Sequence, residues 1–404
     1  MTDVALRNAF LKGIAGLGLP LIKPAIHPGI LRELDQFLGV FCYMTRAAYC
    51  PPEPNHPIGN IYVDYVHNVS INAAAFVSDG HEMIAINIGT ILALWDSYLA
   101  LLSNSQMMPR YGDSKGEKLS NDELASHLTR EFSPGVDPRF LAHNPNDFLR
   151  VRMAQYFTWI GAMFIFCHEI GHHVKGHIEF LTAKTGGRTL YEYMTKDVPM
   201  ELSTDVLKSL EFGADYVGAR GSLIAWQEHL RSVHTPEDPW VLNNSLRVWV
   251  YAFASLFRIL DVKPSGIKDY SWHSHPSPKV RLWQALFEVG MEVARESPDQ
   301  AERYMSVVEE VTAEVDAVWD AMGLPAESFE EGSPHSPMNQ VRTLNDLLIQ
   351  LERSGLRDLE RRRHVRVKMM LQERLRDNPK LIEDLERETG KRPDLEPHPE
   401  APVS

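Results

Sequence analysis

No feature restricts this chain as much as a histidine pair inside one apolar run. His168-Glu169-Ile170-Gly171-His172 closes the segment Arg150–Lys175, and the residues immediately before it, Phe164-Ile165-Phe166-Cys167, are all apolar. The segment reads as a helix. Positions i and i+4 of a helix leave the same face one turn apart, so both imidazoles can share one Zn2+. Glu169, beside the first ligand, then reaches a water on that ion. With 17 histidines in 404 residues, a chance H-E-x-x-H has odds on the order of a few percent, so the reading needs a third ligand.

A catalytic zinc of this type takes two histidines and a carboxylate and leaves its fourth position to water. Two downstream carboxylates compete. Glu192 follows His172 by twenty residues, within Leu190-Tyr191-Glu192-Tyr193-Met194-Thr195-Lys196. Glu211 stands in Glu211-Phe212-Gly213-Ala214-Asp215, on a helix expected over Ser203–Arg220 with Ser203 as N-cap and Gly221 as stop. Asp215, at i+4, shares the face of Glu211 and suits a hydrogen bond from the second nitrogen of a ligand histidine. Glu211 is therefore the expected third ligand. Farther on comes Ser274-His275-Pro276-Ser277-Pro278-Lys279-Val280-Arg281. His275 and Arg281 are expected to bring a cation to the oxyanion of a tetrahedral intermediate, with His273 an alternative to His275.

Other residues near the motif read more plainly. Cys167 precedes His168 and points off the metal face, as a small buried hydrophobe does. His173 and His177 are expected to support the ligands or face solvent.

The formal net charge of -13 opposes a phosphate backbone, so nucleic acid is excluded as a main partner. Three cysteines, Cys42, Cys50 and Cys167, cannot staple a chain of this size, and their odd number suits a reducing, cytoplasmic setting. Pro20 and Lys23 interrupt the apolar N-terminal stretch, which argues against a signal peptide. No integral membrane segment is expected. Met153–Cys167 holds Gln155 and runs into the histidine motif, while Leu246–Leu260 carries Arg247 and Arg258.

Along the chain, apolar spacing predicts a helix over Ile30–Tyr49 that stops before Pro51, Pro52 and Pro54. Val69–Phe76 and Met83–Ile88, around Ser78-Asp79-Gly80, predict a β-hairpin. A helix over Ile91–Leu102 leads into an insertion, about residues 98–150, that is loop-rich over Ser103–Pro145 apart from a short helix near Asp122–Arg130. Such a segment is expected to be a lid hinged at Gly112, Gly116 and Gly135, or else a surface decoration. Leu242–Leu260 reads as a core helix. Residues 1–290 form one domain, 291–392 a helical C-terminal region and 393–404 a disordered, Pro- and acid-rich tail. The basic cluster Arg361–Arg366 reads as a solvated helix face balanced by the acidic stretch Glu288–Glu331.

The order H-E-x-G-H, then E-x-x-A-D, then H-P with an arginine five residues after the proline, resembles the gluzincin metallopeptidases that include HtpX-type heat-shock proteases and the CAAX prenyl endopeptidases. Asn72-Ala73-Ala74-Ala75-Phe76 and Ile84-Ala85-Ile86-Asn87-Ile88-Gly89 are similar to the strands of that family. The resemblance covers roughly residues 60 to 285. It implies an α+β, mostly helical chain: a zincin-like metallopeptidase domain with a small β-hairpin or sheet, and a helical C-terminal extension. It further implies one Zn2+ per chain on His168, His172 and Glu211, with Glu169 as general base and acid. Asp215 would orient a ligand, and His275 and Arg281 would support the site. The expected activity is a zinc endopeptidase acting on a peptide or protein, which adds as an extended strand to the edge of the hairpin. Many relatives carry transmembrane helices that this chain lacks, so prenylated or membrane substrates are not expected. The insertion and the C-terminal third have no counterpart in the family. A non-proteolytic zincin-like module, with a structural zinc and a partner-binding C-terminal region, is the alternative; the intact Glu169 favours the enzyme.

Overall fold

Asp79 and Gly80 take φ of 49° and 82°. Two left-handed residues make the tight turn whose twist matches that of paired strands. Ser78 and His81 therefore face each other, and β3 (Ala73–Ser78) and β4 (His81–Asn87) pair antiparallel in register from there. The computed structural model describes residues 3–21, 32, 34–41, 61–131, 143–185, 189–191, 204–232, 239–262, 276–324 and 337–351. Within them the sheet has the order β1-β2-β4-β3-β5, with β1 over Leu19–Pro20, β2 over Tyr62–His67 and β5 over Thr189–Tyr191. β2 lies parallel to β4, and β5 lies antiparallel to β3.

The outer sides of the hairpin are thus each paired in part. β4 is covered by β2, and β5 takes the outer side of β3 over Ala74–Phe76. The expectation that a peptide adds to the hairpin edge is narrowed accordingly: over Ala74–Phe76 the outer main-chain groups of β3 are already bonded within the chain.

Apart from α1 (Asp3–Gly13) and helical residues 34–41, the helices follow β4, with β5 inserted among them. They are α2 (Ile88–Leu102), α3 (Asn121–Glu131), α4 (Phe148–Val174), α5 (His177–Thr185), α6 (Thr204–Ser232), α7 (Pro239–Asn243), α8 (Ser245–Asp261), α9 (Pro278–Glu296), α10 (Pro298–Ala321) and α11 (Pro337–Leu351). The described chain is therefore mostly helical with one small mixed sheet, an α+β protein.

α4 is the central beam. Asp147 caps it by accepting from Leu149 N–H at 2.9 Å, and its middle is buried on all sides, as a helix apolar all round requires. It packs on α2, α6 and α8. Phe164 meets Phe253 and Phe257 of α8 edge to face at 5.0 and 5.3 Å. Residue 290 lies inside α9, and α10 adds Tyr304, Val308, Val311, Val315 and Trp319 to the same core.

One expectation fails to close packing and another to buried polar contacts. Gly221 does not stop α6, which runs on to Ser232. A Cβ there would lie 2.7 Å from Cys167 Sγ, so the glycine marks where α4 presses on α6. The described part of the insertion is not a hinged lid. Arg150, fully buried, donates to the carbonyls of Leu102, Asn104, Met107, Met108 and Tyr111 at 2.7 to 3.1 Å. Glu117 lies 3.7 Å from the same guanidinium and accepts from the Asn146 and Asp147 N–H groups. His127 of α3 meets Asp96 of α2 at 2.6 Å inside the core. The insertion is therefore nailed to the first turn of α4. That anchor lies about 27 Å along the helix from His168, at about 1.5 Å per residue.

Among the described residues no helix is long and apolar enough to cross a membrane. Cys42, Cys50, Gly135, Glu192, His273, His275, the cluster Arg361–Arg366 and the tail lie outside the described residues.

Candidate metal centre

The last turns of α4 deliver His168, Glu169 and His172 into the interior, each at most 1% exposed. Opposite them α6 presents Glu211 and Asp215 one turn apart. Backbones must approach closely for short side chains from two helices to meet, and small residues allow it. A Cβ on Gly171 would sit 2.9 Å from Ala214 Cα, and one on Gly218 would sit 2.8 Å from the Phe164 ring. Gly171, inside the histidine motif, thus serves the helix crossing.

At that crossing three donors converge. His168 Nε2 is 3.0 Å from His172 Nε2 and 3.2 Å from Glu211 Oε2, and His172 Nε2 is 3.7 Å from Glu211 Oε1. These residues form the one His/Cys/Asp/Glu group among the described residues with metal-ligand spacing. Zinc–nitrogen bonds of about 2.1 Å at the tetrahedral angle place two ligand nitrogens about 3.4 Å apart. The three separations straddle that value, so the residues present fit a zinc ion.

Around the donors the structure supplies a different partner for each histidine. His168 Nδ1 lies 3.0 Å from Asp215 Oδ1. Asp215 is in turn gripped by Arg281, which donates from Nε to Oδ2 at 2.8 Å and from Nη2 to Oδ1 at 2.7 Å. His172 Nδ1 faces His177 Nδ1 at 2.9 Å. Burial pushes the His177 imidazole down to about 3, against the opposing pull of Glu211, so the ring is neutral. Burial likewise pushes the Cys167 thiol up to about 12, which leaves it a packing group.

Arg281 reaches the site through Asp215. Ser277 caps α9, its hydroxyl accepting from Val280 N–H, and Pro278 opens the helix. This start carries Arg281 into the core, above Phe257 and onto Asp215. The guanidinium holds the residue that holds a ligand, and its Nη2 is 3.9 Å from Glu211 Oε2.

His173 departs from expectation. It is neither solvent-facing nor against a ligand: Nε2 lies 3.0 Å from the Met83 carbonyl oxygen, tying the end of α4 to β4. Sequence reasoning left His177 without a specific partner. The signal was there in Lys175-Gly176-His177: Gly176 takes φ of 72°, ends α4 and turns the chain so that His177 comes back beside His172.

Compared with family models, curated proteins and solved structures, the chain matches none.

Proposed function

We propose that this chain is a zinc-dependent endopeptidase with a zincin-like core, resembling the HtpX and CAAX endopeptidase gluzincins. One observation carries the reading: His168, His172 and Glu211 from two helices converge within 4.8 Å of one another, and Glu169 sits between the two histidines in sequence. When bound, zinc supplies Lewis acidity to a peptide carbonyl and lowers the pKa of a water toward about 7. His168 and His172 bind through Nε2 and Glu211 through its carboxylate. Asp215 and Arg281 fix the His168 ring. Glu169 takes the proton of the attacking water and passes it to the leaving amine. A cytoplasmic setting belongs to the proposal and is supported by the free, buried Cys167.

The burial of these side chains favours a second reading, a closed structural zinc without hydrolysis. A closed site takes four protein ligands, whereas the donor group among the described residues has three, the number that leaves a position for water. Glu169→Gln separates the two readings. The variant keeps zinc, measured by elemental analysis, because both histidines remain. It loses hydrolysis of casein, because an amide cannot accept the proton. Cleavage near the wild-type rate in the zinc-loaded variant would sink the assigned mechanism, and no cleavage by zinc-loaded wild type would favour the structural site.

A further inference from the structure

We infer that His177 is a positioning residue that holds His172 in its metal-binding tautomer, through an imidazole–imidazole hydrogen bond; this rests on the zinc half of the reading above. The two Nδ1 atoms are 2.9 Å apart in a buried place, so one of them must carry a proton and the other a lone pair. Only two neutral arrangements satisfy that. If His177 donates, His172 accepts at Nδ1 and carries its own proton on Nε2, the atom that faces His168 and Glu211, and it cannot bind a metal. If His172 donates, its Nε2 lone pair is free for the ion and His177 accepts at Nδ1, with its proton on Nε2. Metal binding therefore selects the second arrangement, and His177 is the acceptor that makes it possible.

The surroundings of the ring agree with a fixed acceptor. Gly176 reverses the chain in a left-handed turn and sets His177 at the first position of α5. On the far side Gly213 leaves space for the ring, since a Cβ there would lie 3.3 Å from its Cε1 and Nε2. His177 Nε2 is buried and has no hydrogen-bond partner among the described residues. A ring placed there for packing alone would be better as a hydrocarbon. The two ligand histidines are thus oriented by unlike groups, a carboxylate for His168 and a neutral imidazole for His172.

The test compares His177→Asn with His177→Leu in the full chain. The Asn side-chain oxygen stands near the place of Nδ1 and accepts a hydrogen bond; Leu fills the space and accepts none. Affinity for Co2+ alone is measured by competition with a chromophoric chelator, and folding is checked by urea denaturation. A positioning role predicts that His177→Leu binds Co2+ about 10- to 100-fold more weakly than wild type, while His177→Asn stays within a few-fold. A packing role predicts the reverse order, with Leu the better replacement, and that order or equal affinities would overturn the inference. Nitrogen NMR of zinc-loaded wild type supplies an independent readout: His172 carries its proton on Nδ1, and a proton on His177 Nδ1 instead would overturn the inference. Should the affinity order hold in a chain that hydrolyses no protein, the peptidase reading fails and the His177 assignment stands. Absence of metal binding by wild type overturns both.

Discussion

Arg281 closes on Asp215 through two bonds, of 2.8 and 2.7 Å, with both side chains at most 3% exposed. Removing one partner of such a buried pair leaves an uncompensated charge, at a cost of about 3 to 5 kcal/mol. Arg281→Met should lower the unfolding free energy measured in urea by an amount in that range, and Asp215→Asn added to it should recover part of the loss. A double-mutant cycle on unfolding measures the coupling; additive losses would mean that the pair is not the link described.

Metal affinity should discriminate between the two candidate carboxylates. Glu211→Ala removes a ligand and should abolish stoichiometric zinc at micromolar protein, whereas Glu192→Ala should leave zinc content unchanged. Asp215→Ala, which frees the His168 ring, should weaken binding by about 10- to 100-fold. Equilibrium dialysis with zinc reads all three. Loss at Glu192 alone would reassign the site.

At the other end of α4, Arg150→Met strips five carbonyl groups of their donor and leaves Glu117 without its nearby cation. The variant should lose more than about 3 kcal/mol, and trypsin should cut faster after the exposed Arg110. For the same reason, replacing residues 104–145 with a short linker should destabilise the protein. A folded deletion with faster hydrolysis would restore the lid.

Two glycine replacements should shift stability in opposite directions. Gly39 lies on an exposed helical turn with nothing within 4 Å of a new Cβ, so Gly39→Ala should stabilise by up to about 1 kcal/mol. Gly171→Ala gains the same propensity but drives a methyl to 2.9 Å from Ala214 Cα, an overpacking that costs about 1 to 3 kcal/mol. Because the crossing sets the distance between the donors, Gly171→Ala should also weaken zinc binding although every ligand is retained. Urea unfolding and a zinc titration, run side by side, report both effects.

The parts of this architecture governed by local periodicity were legible in the sequence. The 3.6-residue pattern marked α4, and the Ser78-Asp79-Gly80 turn marked the hairpin, observed at 73–78 and 81–87 where runs over 69–76 and 83–88 were expected. β2 escaped because its partner is a parallel strand with β3 between the two in sequence, a long-range pairing that no turn announces. The reading of Gly221 as a stop failed because a glycine that admits a neighbouring helix looks the same in a string as one that ends a helix. The anchoring role of Arg150 went unread for a related reason. Its five acceptors are main-chain carbonyls, which every residue has, so composition carries no trace of them.

The sheet has a consequence of its own. Its inner strands are six and seven residues long, while its borders are the two-residue Leu19–Pro20 and the three-residue Thr189–Tyr191. A growing β-aggregate needs a long row of unpaired main-chain groups to template the next chain. At one border Pro20 has no N–H to offer, and at the other only three residues are in strand form. Among the described residues both border strands are thus short, which blunts them as templates for fibril-type growth.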